Sequence, residues 1–305
     1  RKAGRVTTIL RNLPSLDIEA RKVVGQAANE TKVAVEALLD AADAALAARE
    51  RSAGVDLTMP ARRSFLGAVH PVTRVVDEIC DIFRDLGFTR VTGPEAETER
   101  YNFTALNFPP NHPAMDLHDT MYLGPGTLLR THTSPVQVRT MEAYPPPIRV
   151  TIPGLCYRRD PWDASHAPVF AQVEGLVVDE GVSFVDLKAA IGYFARRFFA
   201  PGVKVRLRPS FFPFTEPSAE VDVECQICHG AGCPVCKGTG WSEIMGAGMV
   251  DPAVFEACGV DAERYTGYAF GMGPGRIAMQ RYGLSDIRML YDADVRLHAQ
   301  FVEGR

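Results

Sequence analysis

Short β-prone runs joined by turns rather than by helices constrain the fold of this chain more than any other feature of its sequence. They lie at Phe88–Val91, Thr120–Leu123, Ile148–Ile152, Cys156–Arg158, Val169–Val178, Val203–Leu207 and Val221–Glu224. Gly- and Pro-bearing turns separate most of them, which favours an antiparallel sheet over a βαβ array. Helical periodicity is confined to a few segments. Apolar residues at 72, 75, 76, 79, 82, 83 and 86 predict a helix from Val72 to Leu86, opened by His70-Pro71 and closed by Gly87. Two more are expected at Phe184–Phe199 and Arg276–Tyr282. The fold class is α+β, a mostly antiparallel sheet flanked by helices.

The N-terminal region has a different character. Residues 15–50 lack proline, and Val23, Val24, Val33, Val35, Leu38, Leu39 and Leu46 form a modest apolar stripe. Pro14-Ser15 ahead of Asp17 and Glu19 marks a helix start, where acidic side chains suit the positive end of the dipole. The segment reads either as a surface helix or as half of a projecting helical hairpin. Ser52-Ala53-Gly54 ends it, and residues 56–63, with Met59-Pro60, read as a linker. A helical arm over 1–54 and a larger domain over 55–305 follow, about two domains' worth of chain. The first residue is Arg1 and not Met, so a trimmed start is expected.

Composition narrows the function classes. Apolar residues at 46% and charged residues at 23% exclude a largely disordered chain. The net charge of −4 excludes coating nucleic acid by bulk charge, while leaving a local basic surface open. No run approaches the roughly 20 apolar residues of a membrane helix, and no apolar signal segment opens the chain. No membrane partner is expected. The odd total of seven cysteines fits a reducing cytoplasm better than a secreted disulfide framework.

Four of those cysteines sit together. Cys225-Gln-Ile-Cys228-His-Gly-Ala-Gly-Cys233-Pro-Val-Cys236-Lys-Gly-Thr-Gly240 contains CxxCxGxG twice with a period of eight. Two residues between cysteines let both thiolates face one ion, and the glycines let the chain turn tightly around it. Four thiolates make a closed structural zinc site, with no open position for catalysis. His229 adjoins the cluster as a bystander. The other readings are a loop of redox-active thiols or a zinc-dependent chaperone module, which would leave the rest of the chain idle.

Three further segments are unusually polar for pure structure. One is Leu129-Arg130-Thr131-His132-Thr133-Ser134-Pro135, after an expected β-hairpin. Another runs from Gly154 through Tyr157-Arg158-Arg159-Asp160, Trp162 and His166 to Phe170-Ala171-Gln172-Val173-Glu174, where Gln172 and Glu174 share one face of a strand. The last is Gly271-Met272-Gly273-Pro274-Gly275-Arg276, a glycine turn delivering an arginine to a helix start. Singly, each has an ordinary reading: a capping arginine, or a salt-bridged sheet. The Rossmann pattern is set aside, because no parallel βαβ unit surrounds the glycines.

Together the three segments resemble the core of the class II aminoacyl-tRNA synthetases, most closely the bacterial phenylalanine-specific alpha-subunit type. His70 to Glu95 is similar to the family's first motif, Tyr157–Asp160 to its second and Gly271–Arg276 to its third. Phe211-Phe212-Pro213-Phe214-Thr215-Glu216-Pro217-Ser218 and Gly246-Ala247-Gly248-Met249-Val250 resemble phenylalanine-enzyme signatures. Residues 17–50 resemble its helical arm without most of the first helix. Met115 replaces a common arginine, and Ala171 a common histidine.

The resemblance implies ATP-dependent activation of L-phenylalanine and its transfer to tRNA(Phe), by the alpha subunit of an α2β2 ligase whose beta subunit carries any editing. It assigns Arg158 to the α-phosphate and Arg276 to the γ-phosphate end of ATP, with Asp160, His166 and Gly273 completing the nucleotide site. His132, Ser134, Gln172 and Glu174 would hold the ammonium and carboxylate of phenylalanine. Phe212 and Phe214, which alone read as plain core, would contact the ring over a floor of Ala269 and Gly271. Mg2+ would bridge the phosphates. Glu216 would hold a Mg2+ near the partner subunit, or else cap a turn as a salt bridge. Cys225, Cys228, Cys233 and Cys236 would hold structural zinc. The rival reading is a non-catalytic paralogue that binds amino acid or tRNA, although such proteins usually lose a motif arginine.

Overall fold

A computed structural model of the chain describes residues 4–52, 67–110, 120–164, 166–233 and 236–302. The linker expected over 56–63 and Met115 lie outside them. Two compact units divide the chain, residues 1–65 and 66–305.

The first unit is helical. α1 (Arg5–Asn12) and a 3-10 turn at Leu13–Ser15 lead into α2 (Ile18–Ser52). Asp17 accepts the Ala20 N–H at 2.9 Å, as the acidic start predicts. Arg21 reaches back to the carbonyls of Leu13, Pro14 and Leu16 and fixes the turn. The apolar stripe of α2 is solvent-exposed at Val23, Val33, Val35, Leu38, Leu39 and Leu46. α1 lies within the helical arm expected over 1–54, but it is too short for apolar periodicity to mark it as a separate helix.

The second unit is built on a seven-stranded sheet in the order β1-β5-β6-β10-β9-β8-β7. The strands are β1 (Thr89–Arg90), β5 (Ile148–Tyr157), β6 (Val169–Asp179), β7 (Val205–Phe212), β8 (Thr215–Glu224), β9 (Trp241–Val250) and β10 (Thr266–Met272). All neighbours pair antiparallel except β1 with β5. A smaller sheet, β2 (Ala96–Thr98), β4 (Thr127–Leu129) and β3 (Met121–Gly124), is ordered β2-β4-β3.

Alternation along the strands gives the large sheet two unlike faces. Val173 and Val177 of β6, with Tyr268, Phe270 and Met272 of β10, point into one core. Three helices cover that face: α3 (Pro71–Arg84), α6 (Phe184–Phe198) and α8 (Pro274–Tyr282). Phe83 of α3 stacks between Phe194 and Phe270, with centroids at 5.4 and 4.6 Å. Each such fully buried side chain contributes about 1.5–3 kcal/mol. The caps follow the sequence: Pro71 at N1 of α3, a Ser183–Asp186 capping box on α6, Pro274 at N1 of α8 and left-handed Gly283 after it.

On the opposite face, Leu176 and Val178 of β6 pack with Val136, Val138 and Met141 of α5 (Ser134–Ala143). Only half of this face is covered. Over the remainder, where Gln172, Glu174, Gly246 and Gly271 lie, the sheet opens into a cleft.

Candidate active site

The cleft measures about 850 Å³ and draws its walls from all three polar segments. His132, Ser134, Arg158, Asp160, His166, Gln172, Glu174, Phe212, Phe214, Ala269, Gly271, Gly273 and Arg276 all line it. Glu216 does not: it is exposed, in a register irregularity of β8 between Thr215 and Ser218.

Arg158 follows the end of β5. Its Nε donates to the Thr131 carbonyl at 3.1 Å, and its guanidinium lies 4.8 Å over the Phe170 ring. Burial pulls its pKa below the ordinary arginine value, with the nearby carboxylates of Asp160 and Glu174 opposing. The stack and the carbonyl hold the guanidinium plane in place, leaving its other donors for an anion. Arg276 enters from the other side, in the first turn of α8, and is solvent-exposed. His166 is fixed by Asp163, which accepts from its backbone N–H at 2.8 Å and lies 3.1 Å from ring Nδ1.

Glu174 is 3% exposed and knotted to the start of α5. Oε1 accepts from the Thr133 N–H at 3.2 Å and from Ser134 Oγ at 3.0 Å, while Oε2 accepts from Gln137 Nε2 at 2.6 Å. Burial raises its pKa, and these donors pull it back. The positive end of the helix dipole works in the same direction as the donors. A buried carboxylate beside an open cleft is suited to an ammonium group.

The apolar end is aromatic on one side and nearly bare on the other. Phe212 and Phe214 stack at 5.9 Å, and Phe214 continues to Phe108 and His132 at 5.9 and 6.3 Å. The floor is made by small residues on adjacent strands, Ala269 and Gly271 of β10 beside Gly246 of β9. A Cβ on Gly246 would lie 2.8 Å from the Phe212 ring, so glycine is what lets that ring close on the sheet.

Sequence reasoning missed Gln137, Phe108, Glu220 and Glu243, which also line the cleft. Glu220 and Glu243 belong to an ion-pair network in which Arg208 bridges Glu220, Glu243 and buried Asp222. Period two along β8 places Glu220 and Asp222 on one face, a signal that was present but unremarkable without knowing which face is open. Ala171 also lines the cleft, on β6.

The cysteine insert closes the β8–β9 hairpin, with the Cys225 N–H bound to the Gly240 carbonyl. All four sulfurs lie within 4.8 Å of one another, and three pairs are at 3.7–3.8 Å. A tetrahedron with bonds of about 2.3 Å has an edge of roughly 3.8 Å, so the thiols are spaced for zinc. His229 is outside this group. The period of eight repeats in the backbone: His229 and Lys237 are left-handed at φ 48° and 52°, and Gly230 and Gly238 at 84° and 78°. Burial opposes ionisation of Cys236, yet the Cys233 and Gly240 N–H groups bring its pKa down to about 6.

Comparison with known proteins places this architecture. The family described as "tRNA synthetases class II core domain (F)" matches residues 54–301, and "Aminoacyl tRNA synthetase class II, N-terminal domain" matches residues 2–55. The chain is 58% identical over 300 residues to the phenylalanine–tRNA ligase alpha subunit of Gemmatimonas aurantiaca, covering 98% of this chain and 88% of that one. Alpha subunits of the same name from Geotalea daltonii and Pelobacter propionicus are 53% and 52% identical, each over 98% of this chain and 90% of the relative. Among the described residues, no helix is long and apolar enough to cross a membrane.

Proposed function

Because the chain belongs to the class II aminoacyl-tRNA synthetases, as a phenylalanine–tRNA ligase alpha subunit, we propose that its cleft activates L-phenylalanine with ATP and passes it to tRNA(Phe). One observation carries this reading. Arg158 and Arg276, from separate segments, line the same cleft as a buried carboxylate and an aromatic pocket with a small-residue floor.

In the first step a carboxylate oxygen of phenylalanine attacks the α-phosphorus of ATP, the bond to pyrophosphate breaks, and phenylalanyl-adenylate forms. In the second, a terminal ribose hydroxyl of the tRNA attacks the carbonyl carbon and AMP leaves. Neither step needs a protein nucleophile; both need in-line placement and fixed positive charge. Arg158 holds the α-phosphate oxygens and Arg276 the γ-phosphate end, with Asp160, His166 and Gly273 around the nucleotide. Glu174 and Ser134 receive the substrate ammonium, and Gln172 and His132 bind beside them. Phe212 and Phe214 clasp the ring against Ala269 and Gly271.

Mg2+ supplies charge neutralisation on the phosphates when bound. Exposed Glu216, outside the cleft, is the carboxylate we assign to a Mg2+ facing a partner. Cys225, Cys228, Cys233 and Cys236 hold zinc that braces the β8–β9 hairpin and takes no part in the reaction. The working assembly is a cytoplasmic α2β2 complex with the larger beta subunit.

The test is amino-acid-dependent ATP–pyrophosphate exchange on the chain co-purified with that subunit, with all twenty amino acids tried singly. Exchange greatest with phenylalanine, weak with tyrosine and lost on Arg158→Ala supports the reading. No exchange with any amino acid overturns it in favour of a non-catalytic paralogue.

A further inference from the structure

We propose that Cys156 is a positioning residue, whose thiol holds the Gln172 amide so that its NH2 group faces the cleft and donates to a carboxylate oxygen of the amino-acid substrate. The inference rests on the function proposed above. Gln172 pairs with Gly154 across β5 and β6, so the side chains of Gln172 and Cys156 rise from the same face of adjacent strands. A Cβ on Gly154 would lie 2.1 Å from Arg130 Nη2, so the guanidinium fills the space that a side chain there would take.

Two donors converge on one atom of the amide. Cys156 Sγ lies 3.2 Å from Gln172 Oε1, and the Thr133 N–H reaches the same oxygen at 3.3 Å while also bonding Glu174 Oε1. A backbone N–H can only donate, so turning the amide over would set donor against donor. Burial holds the Cys156 thiol far above its ordinary pKa, which keeps the S–H proton in place. With Oε1 engaged, Nε2 is left over the floor, 3.2 Å from where a Cβ on Gly271 would stand. Gln172 is therefore a donor in the cleft. It suits the substrate carboxylate, and later the adenylate carbonyl, while Glu174 suits the ammonium.

The Thr133 N–H is shared and long, so losing the thiol leaves the amide loosely held. In the exchange assay on the complex, Cys156→Ala should raise KM for phenylalanine about fivefold, with KM for ATP and kcat within about twofold. Cys156→Ser restores an O–H donor and should return KM close to the wild-type value, whereas Cys156→Val, which refills the volume without a donor, should not. Adding Cys156→Ala to Gln172→Ala should cost nothing further. The inference is overturned if Cys156→Ala and Cys156→Val leave KM for phenylalanine unchanged, if serine fails to rescue, or if KM for ATP rises equally, as general loss of packing would produce. Absence of exchange in the wild-type complex would instead overturn the function on which it rests.

Discussion

Gln137 Nε2 donates to Glu174 Oε2 at 2.6 Å, joining the first turn of α5 to a carboxylate buried beneath the cleft. Burial raises the Glu174 pKa above its ordinary 4.5, and Gln137, Ser134 and Thr133 counter that rise. Between 4.5 and the raised value, the folded chain keeps a proton that the unfolded chain has lost. The contribution to stability therefore falls as pH rises through that window. Glu174→Gln should remove this slope, read as Tm against pH, and raise KM for phenylalanine by about 10-fold or more.

Gln137→Ala removes a donor that favours the charged carboxylate. The rise in KM for phenylalanine on acidification should then begin at higher pH than in the wild type. A pH profile identical to wild type would show that Gln137 does not govern the carboxylate.

Arg158 combines a carbonyl contact, a stack on Phe170 and a planar fork. Both Arg158→Ala and Arg158→Lys should lower the exchange rate by about 10²–10³, because an ammonium reproduces neither the stack nor two-point binding. Recovery by lysine to within about tenfold of wild type would mean that charge alone suffices.

The pocket floor should set substrate size. Ala269→Gly removes a methyl from it, and should admit para-substituted phenylalanines, measured as their exchange rate relative to phenylalanine. Gly246→Ala should do the opposite, since its Cβ would stand 2.8 Å from the Phe212 ring and drive it into the cleft. KM for phenylalanine should rise about tenfold, as for a displaced aromatic contact of roughly 1.5 kcal/mol, with KM for ATP unchanged.

Metal analysis should find one zinc per chain, absent after Cys228→Ser with Cys236→Ser. Chelation should lower Tm and speed amide exchange in β8 and β9 first, since the cluster closes that hairpin. Substrate-free amide exchange in β5 and β6 should change least.

Much of this chain is legible in its sequence alone. The amphipathic helix at Pro71–Arg84 and the strand β6 follow from apolar spacing, and the cysteine period of eight reappears in repeated left-handed backbone angles. Glycine hid other elements. β9 and β10 carry Gly246, Gly248, Gly267 and Gly271, which have little strand propensity, and they form because neighbouring strands and the Phe212 ring close on bare backbone. β5 runs unbroken through Pro153-Gly154, where sequence reading divides it. β1 pairs only with Val150 and Thr151, so beyond them one side of β5 has, among the described residues, no strand partner to lose.

The sequence by itself determined the antiparallel class, the metal-spaced cysteines and the arginines worth attention, because period, spacing and residue chemistry are local. Which half of a sheet face stays uncovered, and that Gln137 would anchor Glu174 while Cys156 turned the Gln172 amide, only the tertiary structure decided. Those relations join side chains from different strands and a helix start. They arise when packing removes water and every buried donor must find an acceptor.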